Sequence, residues 1–380
     1  MSALCVLLGL TLVLIVLADT FETMILPRTV TRRVRLTRLF YMFVGRLNGL
    51  VLRLVRHGEL RSTILNVYAP LSLIGLLTFW AGMLMLGFGL IAFGLHLPLL
   101  SQIAKPDIGT YLYLSGVTFL TLGFGDITAT SGFGRFLSVL EAGVGFGFLA
   151  IVISYLPVLY QSFSRREVTI CMLDARAGSP PTSAELLHRY AESNNMEELC
   201  ELLKEYERWA AELLESYLSY PILAYYRSQH DQQSWLSAMV AILDTCALLR
   251  LRFAGSPEWK SKLEWQAYLT FAMARHTLID LALILFEKPQ AEIPERLNDR
   301  DWMRLNATLQ GVGIPLASTD EETRAQLAEM RHQYEPYAYR LAQRLFLELP
   351  PWITEEATSD NWQTSAWEQA EHLGGNTKEN

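Results

Sequence analysis

The chain has 380 residues, 51% of them hydrophobic, with a formal net charge of −7, which is length enough for two domains. Residues 1–167 hold 13 Lys and Arg against 7 Asp and Glu, whereas residues 168–380 hold 19 against 32. An acidic C-terminal half excludes nucleic acid as its main partner, because phosphates are repelled, and the four scattered cysteines exclude a disulfide scaffold or a zinc module.

The first apolar run covers about Ala3 to Ala18 and is bounded by Asp19 and Glu22. A signal peptide normally opens with positive charge, and none precedes this run, so it reads as an uncleaved membrane helix with its N-terminus outside. The second run, Ile64 to Leu97, is interrupted by Pro70, which places the spanning part at about Leu71–Leu95. A third covers Phe136–Tyr160.

Nine arginines against the single acid Glu59 lie between the first two spans, which puts this segment in the cytoplasm. Helical periodicity sets Arg35, Arg46 and Arg53 on one face opposite Phe40, Phe43, Leu47 and Leu54, as expected of an interfacial helix whose arginines meet anionic lipid headgroups. Arg32, Arg35 and Arg38 also recur every third residue in the manner of a voltage sensor, but only one span precedes them, and gating-charge helices sit in a bundle.

The loop Pro98–Gly134 carries only Lys105, Asp107 and Asp126 and is expected outside, while Arg165 and Arg166 return the chain to the inside. Within this loop, a short apolar helix from Gly109 leads directly into Thr121-Leu122-Gly123-Phe124-Gly125-Asp126. Non-helical backbone at membrane depth is tolerated only where it lines a water-filled path or is buried in protein. Gly123 and Gly125, alternating with Leu122 and Phe124, can take positive φ and turn successive carbonyls toward one axis. Four such strands make stacked oxygen rings that can replace the hydration shell of K+ at Thr121, Leu122, Gly123 and Phe124, with the Thr121 hydroxyl at the inner end. The preceding helix points its negative C-terminal end at the ion path.

Thr-Leu-Gly-Phe-Gly-Asp resembles the filter of potassium channels, flanked as in that family by an outer and an inner helix over roughly residues 64–162. The resemblance implies that Thr121 to Gly125 coordinate the ion, that Asp126 braces the filter from behind, and that four chains assemble around it. The chain departs from the family pattern at Tyr113-Leu114 and Val117, where an aromatic pair and an acid are usual, so the bracing is expected to differ. Ile127 also stands where a proline usually follows the filter.

The third span contains Gly143, Gly145, Gly147 and Pro157. These suit either close helix packing or a gating hinge with a bend at the proline. Glu141 is an ionisable residue inside the span, a functional candidate that could brace the pore helix or sit at the outer interface.

Beyond about residue 180 the pattern predicts helices at 183–193, 196–218, 232–253, 260–286 and 323–347, with few strand signals and no glycine-rich nucleotide fingerprint. His188, His230, His276 and His332 are scattered, and Trp209, Tyr217, Tyr220, Tyr225 and Tyr226 read as packing. Cys171, Cys200 and Cys246 are expected as reduced thiols in apolar settings, with Cys5 in the bilayer. The tail from Glu355 is polar.

The expected fold is an all-α membrane protein. Its parts are a transmembrane helix (1–20), a basic interfacial segment (21–62), a pore domain (63–163), a cytosolic all-α domain (164–354) and a tail (355–380). The expected function is passive K+ conduction by a homotetramer, with no catalytic residue and no cofactor beyond the permeant ion, gated by the inner helix and modulated through the cytosolic domain by an unidentified ligand. Two alternatives remain open from the sequence: a weakly selective cation channel, and a membrane-anchored sensor or scaffold with a pore-like assembly module.

Overall fold

The computed structural model describes residues 2–25, 36–55, 58–101, 105–228, 233–254, 260–285 and 287–354. It is almost entirely helical and divides into two compact units, Met1–Gln161 and Ser162–Asn380.

In the first unit, α1 spans Ser2–Met24, six residues past the expected end at Ala18. Asp19 does not stop it because the side chain is buried and paired: its Oδ2 accepts from Trp80 Nε1 at 3.0 Å, from the Thr37 amide at 2.9 Å and from the Thr37 hydroxyl at 2.6 Å. The charge therefore serves as a joint and not as a boundary. α3 (Gly58–Gly94) runs through Pro70 without the interruption the sequence suggested. A proline removes one amide from the ladder, and the other helical bonds carry a long span past it.

α1 and α3 pack as an antiparallel pair at residues small enough for backbone contact. A Cβ on Gly9 would lie 2.5 Å from Gly87 O, one on Gly87 would lie 2.7 Å from Val13 Cγ2, and one on Gly94 would lie 2.7 Å from Ser2 O. These positions recur every seven residues on both helices, with Val16 and Trp80 fully buried at the next step. This close glycine packing is the usual way membrane helices gain contact where lipid offers no hydrophobic drive.

α2 (Leu36–Leu54) is amphipathic, as expected, but its faces divide differently. Phe40 turns onto α3, 3.2 Å from the Cβ position of Gly75 and with its ring 5.6 Å from that of Phe79. Leu39, Met42, Phe43, Leu47, Leu50, Leu54 and Arg46 are exposed. Arg35 lies outside the described residues, as does the side chain of Arg53.

After α3 come β1 (Leu99–Leu100), α4 (Ile108–Phe119), β2 (Thr128–Ala129) and α5 (Gly132–Ala177). β1 and β2 pair antiparallel, Leu99 with Ala129 and Leu100 with Thr128. α5 is continuous through Pro157 and extends well beyond the expected Phe136–Tyr160 at both ends.

The second unit contains the end of α5 followed by α6 (Ser183–Glu192), α7 (Met196–Ser219), a short 3-10 turn (Pro221–Tyr225), α8 (Trp235–Leu249), α9 (Lys260–Ile284), α10 (Asp299–Gly311), α11 (Glu321–His332) and α12 (Glu335–Leu345). α8 is its core, with every residue buried. α9 is long and apolar enough, by length and composition, to be a fourth candidate span. It packs instead on α7, where Thr270 and Thr277 donate to Leu203 O and Ala210 O at 2.9 and 3.0 Å. Lys260, Lys262, Glu264, Arg275 and Asp280 along it would be costly in hydrocarbon.

Three expectations need correction here. The single helix at 323–347 is two, because Pro336 tolerates only a helix's first turn and so starts α12. α10 was not expected at all. Cys171 is exposed, whereas Cys200 and Cys246 are buried. His230 and the tail from Glu355 lie outside the described residues.

Candidate functional site

The segment Thr121–Asp126 is built outward from α4. Asp107 caps the helix: its Oδ1 accepts from the Thr110 amide at 2.9 Å and the Thr110 hydroxyl at 2.8 Å, and its own amide donates back to Thr110 Oγ1 at 3.3 Å. This reciprocal cap fixes where the helix starts. Tyr111 donates to Leu97 O at 2.9 Å, tying α4 to the end of α3. At the other end, the Leu120, Thr121 and Leu122 amides donate to Gly116 O, Thr118 O and Val117 O at 3.0, 3.0 and 2.9 Å, closing the last turn.

From there the backbone alternates. Thr121, Gly123 and Gly125 take φ of +56°, +60° and +77°, with Leu122 and Phe124 between them. Positive φ at Gly123 and Gly125 matches the sequence reading, but Thr121 was missed. A β-branched residue in the left-handed region is strained and is held there only when its surroundings over-determine it. The closed α4 turn, which holds the Thr121 and Leu122 amides on Thr118 O and Val117 O, supplies that constraint. Thr121 through Asp126 are all exposed in the single chain, with Leu122 at 52% and Phe124 at 66%.

Two polar contacts hold this segment from behind. Tyr113 donates to Asp126 Oδ2 at 2.9 Å, so the position that departs from the family pattern supplies the bond. Glu141 on α5 is buried and accepts from the Ser115 hydroxyl of α4, which also lies 2.7 Å from Met85 O on α3. Ser115 joins the three helices at one point, a role the sequence signalled only as a hydroxyl in an apolar helix. Past Asp126, Thr130 donates through its amide and its hydroxyl to Pro98 O, both at 3.0 Å, and closes the loop against β1.

The α5 glycines differ among themselves. A Cβ on Gly145 would lie 2.1 Å from Phe119 O at the end of α4, while Gly143 and Gly147 face open space. Gly145 is therefore the point where α5 meets the pore helix backbone, and Phe148 packs beside it on Phe119. Pro157 lies further along, in helix that stays continuous. Among the described residues no group of three His, Cys, Asp or Glu could hold a metal ion.

Residues 76–161, which contain this whole arrangement, match the family described as ion channel. The protein LctB of Geobacillus stearothermophilus is 30% identical over 124 residues, covering 30% of this chain and 92% of its own length. The chain belongs to the two-helix ion-channel family. The matched residues cover the end of α3, all of α4 and the first part of α5. The channel is a multi-pass membrane protein of an oligomeric, non-enzymatic family. α1 and the whole of the second unit lie outside the matched residues 76–161. No solved structure matches the channel.

Proposed function

We propose that four copies of this chain form a potassium-selective channel in which Thr121, Leu122, Gly123, Phe124 and Gly125 line the ion path and coordinate K+ through backbone carbonyls. The observation that carries this reading is the alternation of positive φ at Thr121, Gly123 and Gly125 in an exposed segment at the C-terminal end of a short helix. Such alternation can turn successive carbonyls to one side, and four sets of them can replace a hydration shell. In this reading Asp126 and Glu141 support the filter through Tyr113 and Ser115. The N-terminus is outside and the second unit cytoplasmic, as the arginine excess between α1 and α3 favours.

Gating is assigned to α5. Gly145 is its packing point, and Gly143, Gly147 and Pro157 are the positions that can bend around it. Residues 162–177 of the same helix belong to the second unit. There the buried Arg166 donates to Tyr217 Oη at 2.8 Å, Leu223 O at 3.0 Å and Tyr226 O at 2.9 Å. A rearrangement of the second unit on binding its unidentified ligand would therefore act on the helix directly.

Flux from purified protein in liposomes tests the reading. Potassium should move down its gradient at least about a hundredfold faster than sodium, and Gly123→Asp should abolish the flux while the oligomer stays intact, because a side chain at φ +60° distorts a carbonyl ring. Equal potassium and sodium rates would sink selectivity in favour of a general cation channel, and intact tetramers that never conduct would favour a scaffold. Tyr113→Phe, which removes only the hydroxyl, should leave assembly unchanged and lower sustained potassium current severalfold. A current indistinguishable from wild type would exclude the Tyr113–Asp126 bond as a filter brace.

A further inference from the structure

We propose that α2 is an in-plane lipid-packing sensor: its exposed apolar face inserts into the inner leaflet, and Asp19 couples it to the outer pore helix, so that conduction rises with membrane tension. This inference rests on the channel reading and adds a stimulus to it.

The first observation is the face itself. Leu39, Met42, Phe43, Leu47, Leu50 and Leu54 are 39–76% exposed along one 19-residue helix, with the exposed Arg46 among them, whose long stem lets its charge reach the headgroups. So large an apolar patch on a soluble surface would be an aggregation hazard. The occupant follows from connectivity and charge. Only three residues, Val55 to His57, separate α2 from α3, a helix long enough to cross a membrane, so this face cannot leave the bilayer end of α3. The segment between α1 and the spanning part of α3 carries nine arginines and one acid, which suits the anionic cytoplasmic headgroups. A helix with an apolar face and a basic flank lies in the plane of the interface with that face sunk into the acyl boundary.

The second observation is the mechanical link. The start of α2 is held by one carboxylate oxygen that also holds α3: Asp19 Oδ2 accepts from the Thr37 amide, the Thr37 hydroxyl and Trp80 Nε1. Thr23 adds a hydroxyl contact to Thr37 at 3.3 Å. Further along, Phe40 seats against Gly75 and Phe79 of α3. An in-plane pull on α2 therefore reaches α3, on which Ser115 of the pore helix rests through Met85 O. When tension lowers lipid packing, deeper insertion of the apolar face becomes favourable, because more apolar surface leaves water. That gain biases α2, and with it α3, toward one position.

Two measurements on the full chain in liposomes test this. The first places p-benzoylphenylalanine at position 47 and irradiates it. Lipid adducts on the monomeric band are the expected result, whereas cross-linked chain pairs, or no adduct, would show that another subunit or water covers the face. The second measures potassium flux before and after an osmotic downshift. Wild type should rise at least about tenfold, and a variant carrying Phe43→Gln, Leu47→Gln and Leu50→Gln should keep its basal flux but lose most of that rise. Since all three side chains are exposed, the variant should fold. An equal rise in both proteins, or none in either, overturns the sensor. Absence of any potassium flux in all conditions would instead overturn the channel reading, and the cross-linking would then still decide what α2 touches.

Discussion

Gly145→Ala should cost the channel most of its current, and Gly145→Val all of it, whereas Gly143→Ala and Gly147→Ala, whose added methyl groups meet nothing within 4 Å, should leave assembly intact. A methyl group on Gly145 would sit 2.1 Å from the Phe119 carbonyl oxygen and 2.9 Å from its carbon, inside contact distance of main chain. Overpacking costs about 1–3 kcal/mol even where side chains can shift, and here the obstacle is the last turn of α4. Relief must come from moving α4 away from α5. That displacement carries Thr121 with it, two residues along from Phe119, out of the strained conformation the closed turn enforces. Size-exclusion profiles and potassium flux measured on the same preparations separate loss of assembly from loss of conduction. Normal current from Gly145→Ala would mean that α4 and α5 stand further apart in the conducting state than they do here.

Arg296→Met should destabilise the second unit by about 3–5 kcal/mol, the cost of breaking a buried ion pair from one side, and lower its unfolding midpoint by about 10 °C. Arg296 lies between the buried Asp244 and Glu335, with Nη2 2.5 Å from Asp244 Oδ2 and Nη1 2.8 Å from Glu335 Oε1. It also donates from Nε and Nη2 to Pro350 O at 3.2 and 2.7 Å. The Trp352 ring lies 5.7 Å from its guanidinium and 5.5 Å from that of Arg331. Burial pushes the Asp244 carboxyl above the ordinary range even with Arg296 beside it, and without the arginine nothing as strong opposes that push. An acid whose folded pKa is raised holds its proton longer in the folded state, so stability falls as pH climbs past the unfolded value near about 4. The deficit of Arg296→Met should therefore be smaller at pH 5 than at pH 8. A thermal melt of the full chain in detergent at both values checks this, and a deficit independent of pH would mean that Asp244 is already neutral in the native protein.

Sequence pattern located the three long apolar helices of the first unit and the alternating-glycine turn because each depends on local features: apolar length for the helices and glycine's freedom of φ for the turn. Their ends were misjudged wherever a distant partner decided the outcome. Asp19 looked like a boundary because the residues that pair it, Thr37 and Trp80, are 18 and 61 positions away. Thr121 gave no sign of positive φ, since that conformation comes from the α4 turn and not from threonine. Tyr113 counted as a departure until its bond to Asp126 was visible. In the second unit, α10 escaped notice because Asp299, Arg300, Asp301 and Arg304 dominate its composition, and only Trp302, Leu305 and Leu309 face inward. Cys171 was expected inside by residue type alone, and its place on an exposed side of α5 is a matter of tertiary context.

The glycine seam between α1 and α3 also imposes an order on biosynthesis. α1 is translated first, so its Gly9 contact and the Trp80 bond to Asp19 can form only once α3 has been made. The two helices therefore settle as a pair, late in the synthesis of the first unit.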